Sequence, residues 1–268
     1  MPPLAAEPLA FAPPLQVSAV TLSFGAVTAL RNVSFACAEG SIFAIVGPNG
    51  AGKTSLLNVV SGAYRPTAGS VRYFGVDLAR PRPHRVAALG VARTFQNVAL
   101  FAGLSVLENV LVGRHVHTGA GFFAYGLGWP TARADDRRQR AAAEQALDVL
   151  GLGALRDLPV ETLPYGVKKK VELARALAAQ PRLLLLDEPL AGMNAEEKRE
   201  IAAAVRAIRD RLGLTVVMIE HDFPLVTALA DRILVLDHGE VLAEGTPAEI
   251  RQDPKVLEAY FGVAGEPA

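Results

Sequence analysis

The sequence predicts an α/β protein built on a parallel sheet, and three stretches carry that prediction. The first is Gly47-Pro48-Asn49-Gly50-Ala51-Gly52-Lys53-Thr54, which fits G-x-x-x-x-G-K-[ST]. It lies between an apolar run of buried-strand length, residues 41–46, and residues 53–60, where Leu56, Leu57 and Val60 fall at helical spacing. The second is the four-leucine run 183–186, ending in Asp187-Glu188-Pro189. The third is Thr215-Val216-Val217-Met218-Ile219, ending in Glu220-His221-Asp222. All three are short apolar runs that end abruptly in glycine, carboxylates or histidine, as strands that lift functional groups to one sheet edge do.

Strand, glycine loop and helix, in that order, let a backbone act on an anion. Glycines at 47, 50 and 52 carry no Cβ, so successive N–H groups can turn toward phosphate oxygens. The helix behind them adds the positive end of its dipole. Lys53 is placed to reach β- and γ-phosphates and the Thr54 hydroxyl to sit on Mg²⁺. The expected nucleotide-binding set is therefore Gly47, Pro48, Asn49, Gly50, Ala51, Gly52, Lys53, Thr54 and Ser55. The loop predicts binding of ATP or GTP. At the neighbouring strand ends, Asp187 is expected to hold Mg²⁺ through a water. Glu188 is expected to act as general base toward the attacking water, and His221 to donate to the γ-phosphate.

Taken in order, residues 15–22 alternate weakly as a first strand, Phe24-Gly25 interrupts, and residues 29–38 resume with Val33, Phe35 and Cys37 on one face. Phe24 is either a platform for adenine or an ordinary core residue. Residues 62–69 form a loop and 70–74 a strand, and Arg93-Thr94-Phe95-Gln96 closes a short strand before a loop over 97–103. Ser105-Val106-Leu107-Glu108 is a capping box, and Val106, Val110 and Leu111 give its helix an apolar face. Residues 119–130 gather Phe122, Phe123, Tyr125 and Trp129 between glycines: an insertion folded onto its own domain, or a patch that meets a partner. A helix over 131–150 follows, its Arg133, Arg137, Arg138 and Arg140 a solvated face. Residues 167–179 form another helix, with Val171, Ala174, Leu177 and Ala178 as inner stripe and Pro181 as terminator. Residues 196–212 are an amphipathic helix. His238-Gly239 joins two strands as a hairpin, and Thr246-Pro247-Ala248-Glu249 caps a last helix.

Composition narrows the classes. The chain has 268 residues, 27 Lys and Arg against 27 Asp and Glu, and a single cysteine. Zero net charge removes the electrostatic argument for nucleic acid as a partner. The lone Cys37 cannot close an intramolecular disulfide, which fits a reducing compartment. No apolar run approaches the roughly 18 residues of a membrane span, and the Pro- and Ala-rich start lacks the features of a signal peptide. Residues 1–14 and 263–268 are expected to be tails around one domain, 15–262, with a single phosphate loop.

The order of these features (phosphate loop, mid-chain glutamine, glycine-led helix, Asp-Glu strand end, late histidine) resembles an ABC-transporter ATPase from about residue 15 onward. The resemblance implies a P-loop NTPase core sheet with an antiparallel β-subdomain and an inserted α-helical subdomain, about 97–180. It implies ATP and Mg²⁺ as ligands, Phe24 as the adenine-stacking aromatic, and Gln96 as the glutamine that touches Mg²⁺ and communicates with membrane subunits. His221 matches the switch histidine. Residues 163–167 match the signature, usually Leu-Ser-Gly-Gly-Gln, so Tyr165 and Gly166 are expected to cap ATP held by an opposing subunit. Two departures stand out: Pro164 where serine is usual and Val167 where glutamine is usual. Residues 104–114, the aromatic insertion, Ala191-Gly192-Met193-Asn194 and residues 253–262 resemble the larger ATPase chain of branched-chain amino-acid importers, whose relatives serve urea and other amides. The resemblance implies permease subunits and a second, different ATPase chain as partners. It also implies a periplasmic or extracellular solute-binding protein as an indirect one, and a peripheral place on the cytoplasmic face of the inner membrane. The rival readings are an ABC ATPase of another system, such as lipid export or cofactor assembly, and a regulatory nucleotide-binding subunit with negligible hydrolysis.

Overall fold

The structure, a computed structural model, describes residues 12–78, 81–94, 99–117 and 130–261. Strands β1 (Leu15–Phe24), β2 (Val27–Cys37), β4 (Ala68–Tyr73) and β5 (Val76–Asp77) form an antiparallel sheet in the order β2-β1-β4-β5. Strands β3 (Ile42–Val46), β6 (Val91–Arg93), β7 (Leu183–Asp187), β8 (Thr215–Ile219), β9 (Arg232–Asp237) and β10 (Glu240–Gly245) form a second sheet. Its order is β10-β9-β3-β8-β7-β6, and every pair in it is parallel except β9 with β10.

The lack of alternation in the apolar runs has a direct cause: β3, β7 and β8 are buried at every position. Odd and even residues serve different cores. Ile42, Ala44, Val46, Leu184, Leu186, Val216 and Met218 pack toward the helices. Phe43, Ile45, Leu183, Leu185, Val217 and Ile219 pack toward the antiparallel sheet. A fully buried leucine in such a strand stabilises by about 1.5–3 kcal/mol relative to exposure. Because β3, β8 and β7 are parallel neighbours, the polar residues that end each run meet at one edge, outside the strands' carboxyl ends.

Helix α1 (Lys53–Val60) buries Leu56, Leu57, Val59 and Val60 in the core shared with the antiparallel sheet, and α2 (Pro83–Ala88) adds Val86. On the other side, α3 (Val106–Val112), α4 (Pro130–Val149) and α5 (Tyr165–Ala178) pack on one another through Val106, Val110, Leu147, Val171 and Leu177. Asn109 is fully buried among them. Its Oδ1 accepts from the Phe101 N–H at 2.8 Å and its Nδ2 donates to the Ser105 carbonyl at 3.0 Å, so an apolar helix group tolerates the amide. Helices α6 (Ala195–Leu212), α7 (Phe223–Leu229), α8 (Pro247–Gln252) and α9 (Pro254–Phe261) complete the described chain. The capping boxes read at Ser105 and Thr246 both form, and a third forms at Asn194 with Glu197.

Several boundaries differ from the sequence reading. Strand β2 starts at Val27, two residues early, because the ladder with β1 runs on to Phe24↔Val27. Helix α5 starts at Tyr165, not 167: Pro164 is its N-cap, and the Pro164 carbonyl accepts from Lys168 at 3.0 Å. Pro14, placed in the tail, is buried, and its carbonyl accepts from the Phe74 N–H at 3.1 Å. The short elements β5, α2, α7 and α9 escaped the reading, each having too few residues to show a period. Residues 1–11, 79–80, 95–98, 118–129 and 262–268 lie outside the described residues. The expectations for Gln96, for the aromatic stretch and for the greater part of both tails therefore fall outside them as well.

Candidate functional site

The phosphate loop is shaped by what presses on it. A Cβ on Gly47 would stand 2.1 Å from the Leu236 carbonyl oxygen of β9, and one on Gly52, at φ 96°, would stand 2.7 Å from the Ala29 carbonyl oxygen of β2. Glycine at these two positions thus lets both sheets close on the loop. The turn between β9 and β10 fastens it further: the Gly239 N–H donates to the Ala51 carbonyl at 3.1 Å, and the Arg31 N–H donates to the Gly239 carbonyl at 2.8 Å. Lys53, only 7% exposed, folds back over the loop and donates to the carbonyls of Gly47 at 2.8 Å and Pro48 at 2.9 Å. Burial pushes its pKa down, and the negative charge of Glu188 pulls the other way.

A cavity of about 420 Å³ opens in front of this loop. Asn49 through Ser55, Glu188 and His238 line it, with Val27, Thr28 and Ala29 of β2 as the remaining wall. Seven consecutive loop and helix residues and Glu188 of a distant strand end therefore share one space. Gly47 and Pro48 are not part of its lining; their carbonyls are the acceptors that hold Lys53.

Two carboxylates end β7 in different surroundings. Asp187 is 4% exposed and accepts from Arg93 Nη2 at 2.8 Å. The other arm of that guanidinium donates to Asn58 Oδ1 at 2.7 Å and Ser61 Oγ at 2.8 Å near the end of α1, so Arg93 joins β6, β7 and α1. Glu188 leaves the strand with φ at 45°, a backbone region uncommon for a residue with a side chain and frequent at functional sites. Its own N–H still donates to the Ile219 carbonyl at 3.1 Å, and the Ala191 N–H donates back to the Glu188 carbonyl at 3.2 Å.

His221 stands past the end of β8, more than half exposed, with Nδ1 3.9 Å from Glu220 Oε2. It is at the predicted edge but not among the residues lining the cavity. Phe24 is half exposed at the end of β1 and meets Tyr64 edge to face at 5.4 Å between centroids, so it does not belong to the core. Tyr165 is also exposed, at the first turn of α5. Gly166 is buried beside Glu197, whose Oε1 would lie 3.2 Å from a Cβ there. The cavity does not include either of them.

Six residues contribute that the sequence does not single out. In the sequence His238 is hairpin punctuation, yet it lines the cavity. The β2 residues Val27 to Ala29 carry no motif. Arg93 showed only as a strand residue. Glu220 is 1% exposed and accepts two backbone N–H groups, from Leu190 at 2.8 Å and from His221 at 3.3 Å. Its only signal was an acid immediately after a buried run.

Comparison with known proteins places the chain in a family. The profile of the ABC transporter family matches residues 30–191, and that of the branched-chain amino acid ATP-binding cassette transporter matches residues 240–266. The high-affinity branched-chain amino acid transport ATP-binding protein BraF of Pseudomonas aeruginosa is 38% identical over 252 residues, 94% of this chain and 99% of BraF. LivG of Escherichia coli K12, a protein of the same description, is 38% identical over 255 residues, 94% of this chain and 99% of LivG. Among solved structures, the ATP-binding cassette MJ1267 in its ADP conformation superposes with a TM-score of 0.80 at 30% identity, covering 92% of this chain and 98% of that one. With the loop, the strand-end carboxylates and both profiles in agreement, this chain belongs to the ABC transporter family of ATP-binding proteins.

Proposed function

We propose that this chain is the ATP-hydrolysing subunit that powers an importer for branched-chain amino acids or related amides. The observation that carries the hydrolytic part is that Lys53, the loop Asn49–Ser55 and Glu188 line one cavity. The solute class rests on BraF and LivG, matched along nearly their whole length, and on the C-terminal profile.

In this reading the triphosphate lies along the loop N–H groups and the start of α1, and Lys53 leaves its two carbonyls for the β- and γ-phosphates. Phe24, half exposed and paired across the ladder with Val27 of the cavity wall, offers its face to the adenine. Thr54, which lines the cavity, would supply a hydroxyl, and Asp187, a single buried carboxylate paired with Arg93, would hold the metal ion through a water. Such a sparse oxygen set suits Mg²⁺, which takes one or two carboxylates and fills its other positions with phosphate and water. Gln96 would be the third protein group. The ion would neutralise charge on the β- and γ-oxygens. Glu188 accepts the proton of the water aimed in line at the γ-phosphorus, and His221 donates to the γ-phosphate once the edge closes over it.

Tyr165 and Gly166, at the start of α5, lie outside the lining of this cavity, and in this reading they act on a nucleotide held by a second chain. Pro164 and Val167 weaken that surface, and the partner is accordingly a different ATPase chain. The assembly docks on permease subunits at the cytoplasmic face of the inner membrane and receives solute from an external binding protein. Among the described residues no helix is long and apolar enough to cross a membrane. Pro164, which gives α5 no side-chain cap, also favours a second reading, a regulatory subunit of slow turnover.

Reconstitution of the chain with its permease and partner ATPase in vesicles tests the proposal. ATP-dependent uptake of labelled leucine or isoleucine, lost with Glu188→Gln, is the expected result. Normal uptake by that variant refutes the hydrolytic role. Uptake of neither branched-chain amino acids nor amides refutes the solute class.

A further inference from the structure

We infer that Glu220 is a positioning residue that sets the geometry of both functional strand ends, holding the turn that aims Glu188 and the peptide that carries His221. The inference rests on the roles proposed above for those two residues. Glu220 directly follows β8, the strand between β3 and β7, and its own N–H donates to the Ile45 carbonyl of β3 at 3.3 Å. Its side chain turns inward and is almost completely buried. Oε1 accepts from the Leu190 N–H at 2.8 Å, two residues past Glu188, and Oε2 accepts from the His221 N–H at 3.3 Å.

This matters because of the backbone it supports. Glu188 sits at φ 45°, a conformation that costs of order 1–3 kcal/mol and persists only where the surroundings over-determine it. The turn from Glu188 to Ala191 is closed by the Ala191 N–H to Glu188 carbonyl bond at 3.2 Å. The Leu190 N–H lies inside that turn and is the one tied across to another strand by a side chain. A buried carboxylate is an expensive way to satisfy a backbone N–H, since burial disfavours its charge. Burial does raise its pKa, the Leu190 and His221 N–H groups and the His221 ring pull it down, and the charge of Glu188 raises it further. One group thus spans the ends of two strands that would each otherwise end in a separate loop, and it fixes the spacing between the proposed base and the proposed γ-phosphate donor.

The test compares Glu220→Asp with Glu220→Gln. The aspartate keeps the charge but withdraws the acceptor from Leu190 by one methylene, whereas the glutamine keeps an oxygen in reach of that N–H and loses the charge. Turnover at saturating ATP, the ATP dissociation constant and the unfolding midpoint are measured for both, with Glu188→Gln alongside. Misplacing a reacting group by about 1 Å costs up to roughly a hundredfold. The expected result is a turnover loss of about tenfold to a hundredfold in Glu220→Asp and a several-fold smaller loss in Glu220→Gln. ATP affinity should stay within about twofold in both, because the loop and Lys53 are untouched. Turnover of Glu220→Asp at the wild-type rate overturns the inference, and so does a Glu220→Gln loss as large as that of the aspartate. A parallel loss of ATP affinity and turnover also overturns it, since that marks general structural damage. If Glu188→Gln itself turns over normally, the base assignment fails; if Glu188→Gln is inactive and Glu220→Asp is normal, only the positioning role fails.

Discussion

Two helix starts in this chain look alike and are built for different neighbours. Ser105, Asn194, Asp222 and Thr246 cap α3, α6, α7 and α8 with side-chain oxygens. Gly52 and Pro164, before α1 and α5, make no side-chain cap bond. Short α2 also lacks one, but Pro83 sits in its first turn, where no donor is needed. At α1 and α5 the first N–H groups are left for another acceptor. Around α1 the acceptor site is complete within the chain: two sheets close on the glycines, Lys53 is buried, and Glu188 faces the same cavity. At the start of α5, Tyr165 is exposed and Gly166 is buried beside Glu197, and neither lines that cavity. In the proposed two-chain assembly the first start would serve as the chain's own phosphate cradle and the second as the lid over its partner's nucleotide.

Substitutions inside the cradle should be the most damaging. Glu188→Gln keeps shape and removes the basic carboxylate, so phosphate release should fall by roughly 10² to 10⁴ while ATP still binds and holds two chains together. Wild-type turnover in a phosphate-release assay would end the comparison, because the cradle would then lack its chemistry. Lys53→Ala should act on binding instead. It removes a charge-assisted contact worth about 1.5–3 kcal/mol, so titration calorimetry should show ATP affinity lower by roughly tenfold to a hundredfold.

Phe24 tests how far the cradle extends. Its ring is half exposed, so stacking at the low end of about 1–3 kcal/mol per base is expected, and Phe24→Ala should weaken ATP by about tenfold. Phe24→Tyr should be nearly silent in the same titration. An alanine variant with unchanged affinity would confine the cradle to the loop and β2.

The lid should give the smallest effect. Pro164→Ser restores a hydroxyl at the α5 N-cap, worth about 0.5–1.5 kcal/mol, so ATP-driven association measured by sedimentation in a Glu188→Gln background should tighten by roughly twofold to tenfold. The wild-type chain alone should be mostly monomeric with ATP. Firm self-association by the wild type, with no gain from serine, would mean that the lid was never weak and that two copies of this chain suffice.

The phosphate loop and the parallel sheet beneath it are legible in the sequence because both are encoded locally. The glycines of the loop, Lys53 and Thr54 act through adjacent backbone, and strands buried on both faces must be uniformly apolar until they end. Capping boxes at Ser105 and Thr246 were legible for the same reason, as each spans a single helical turn. What depends on distant segments is set by the folded chain. Phe24 could be core or platform until its exposure beside Tyr64 was seen. His238 became part of the cavity because a β9–β10 turn is fastened onto Ala51. Arg93 binds Asp187 across 94 residues, and Glu220 binds Leu190 across 30. Such pairings leave no periodicity in sequence: they are set by which strands lie side by side, and strand order is a property of the whole sheet rather than of any stretch within it.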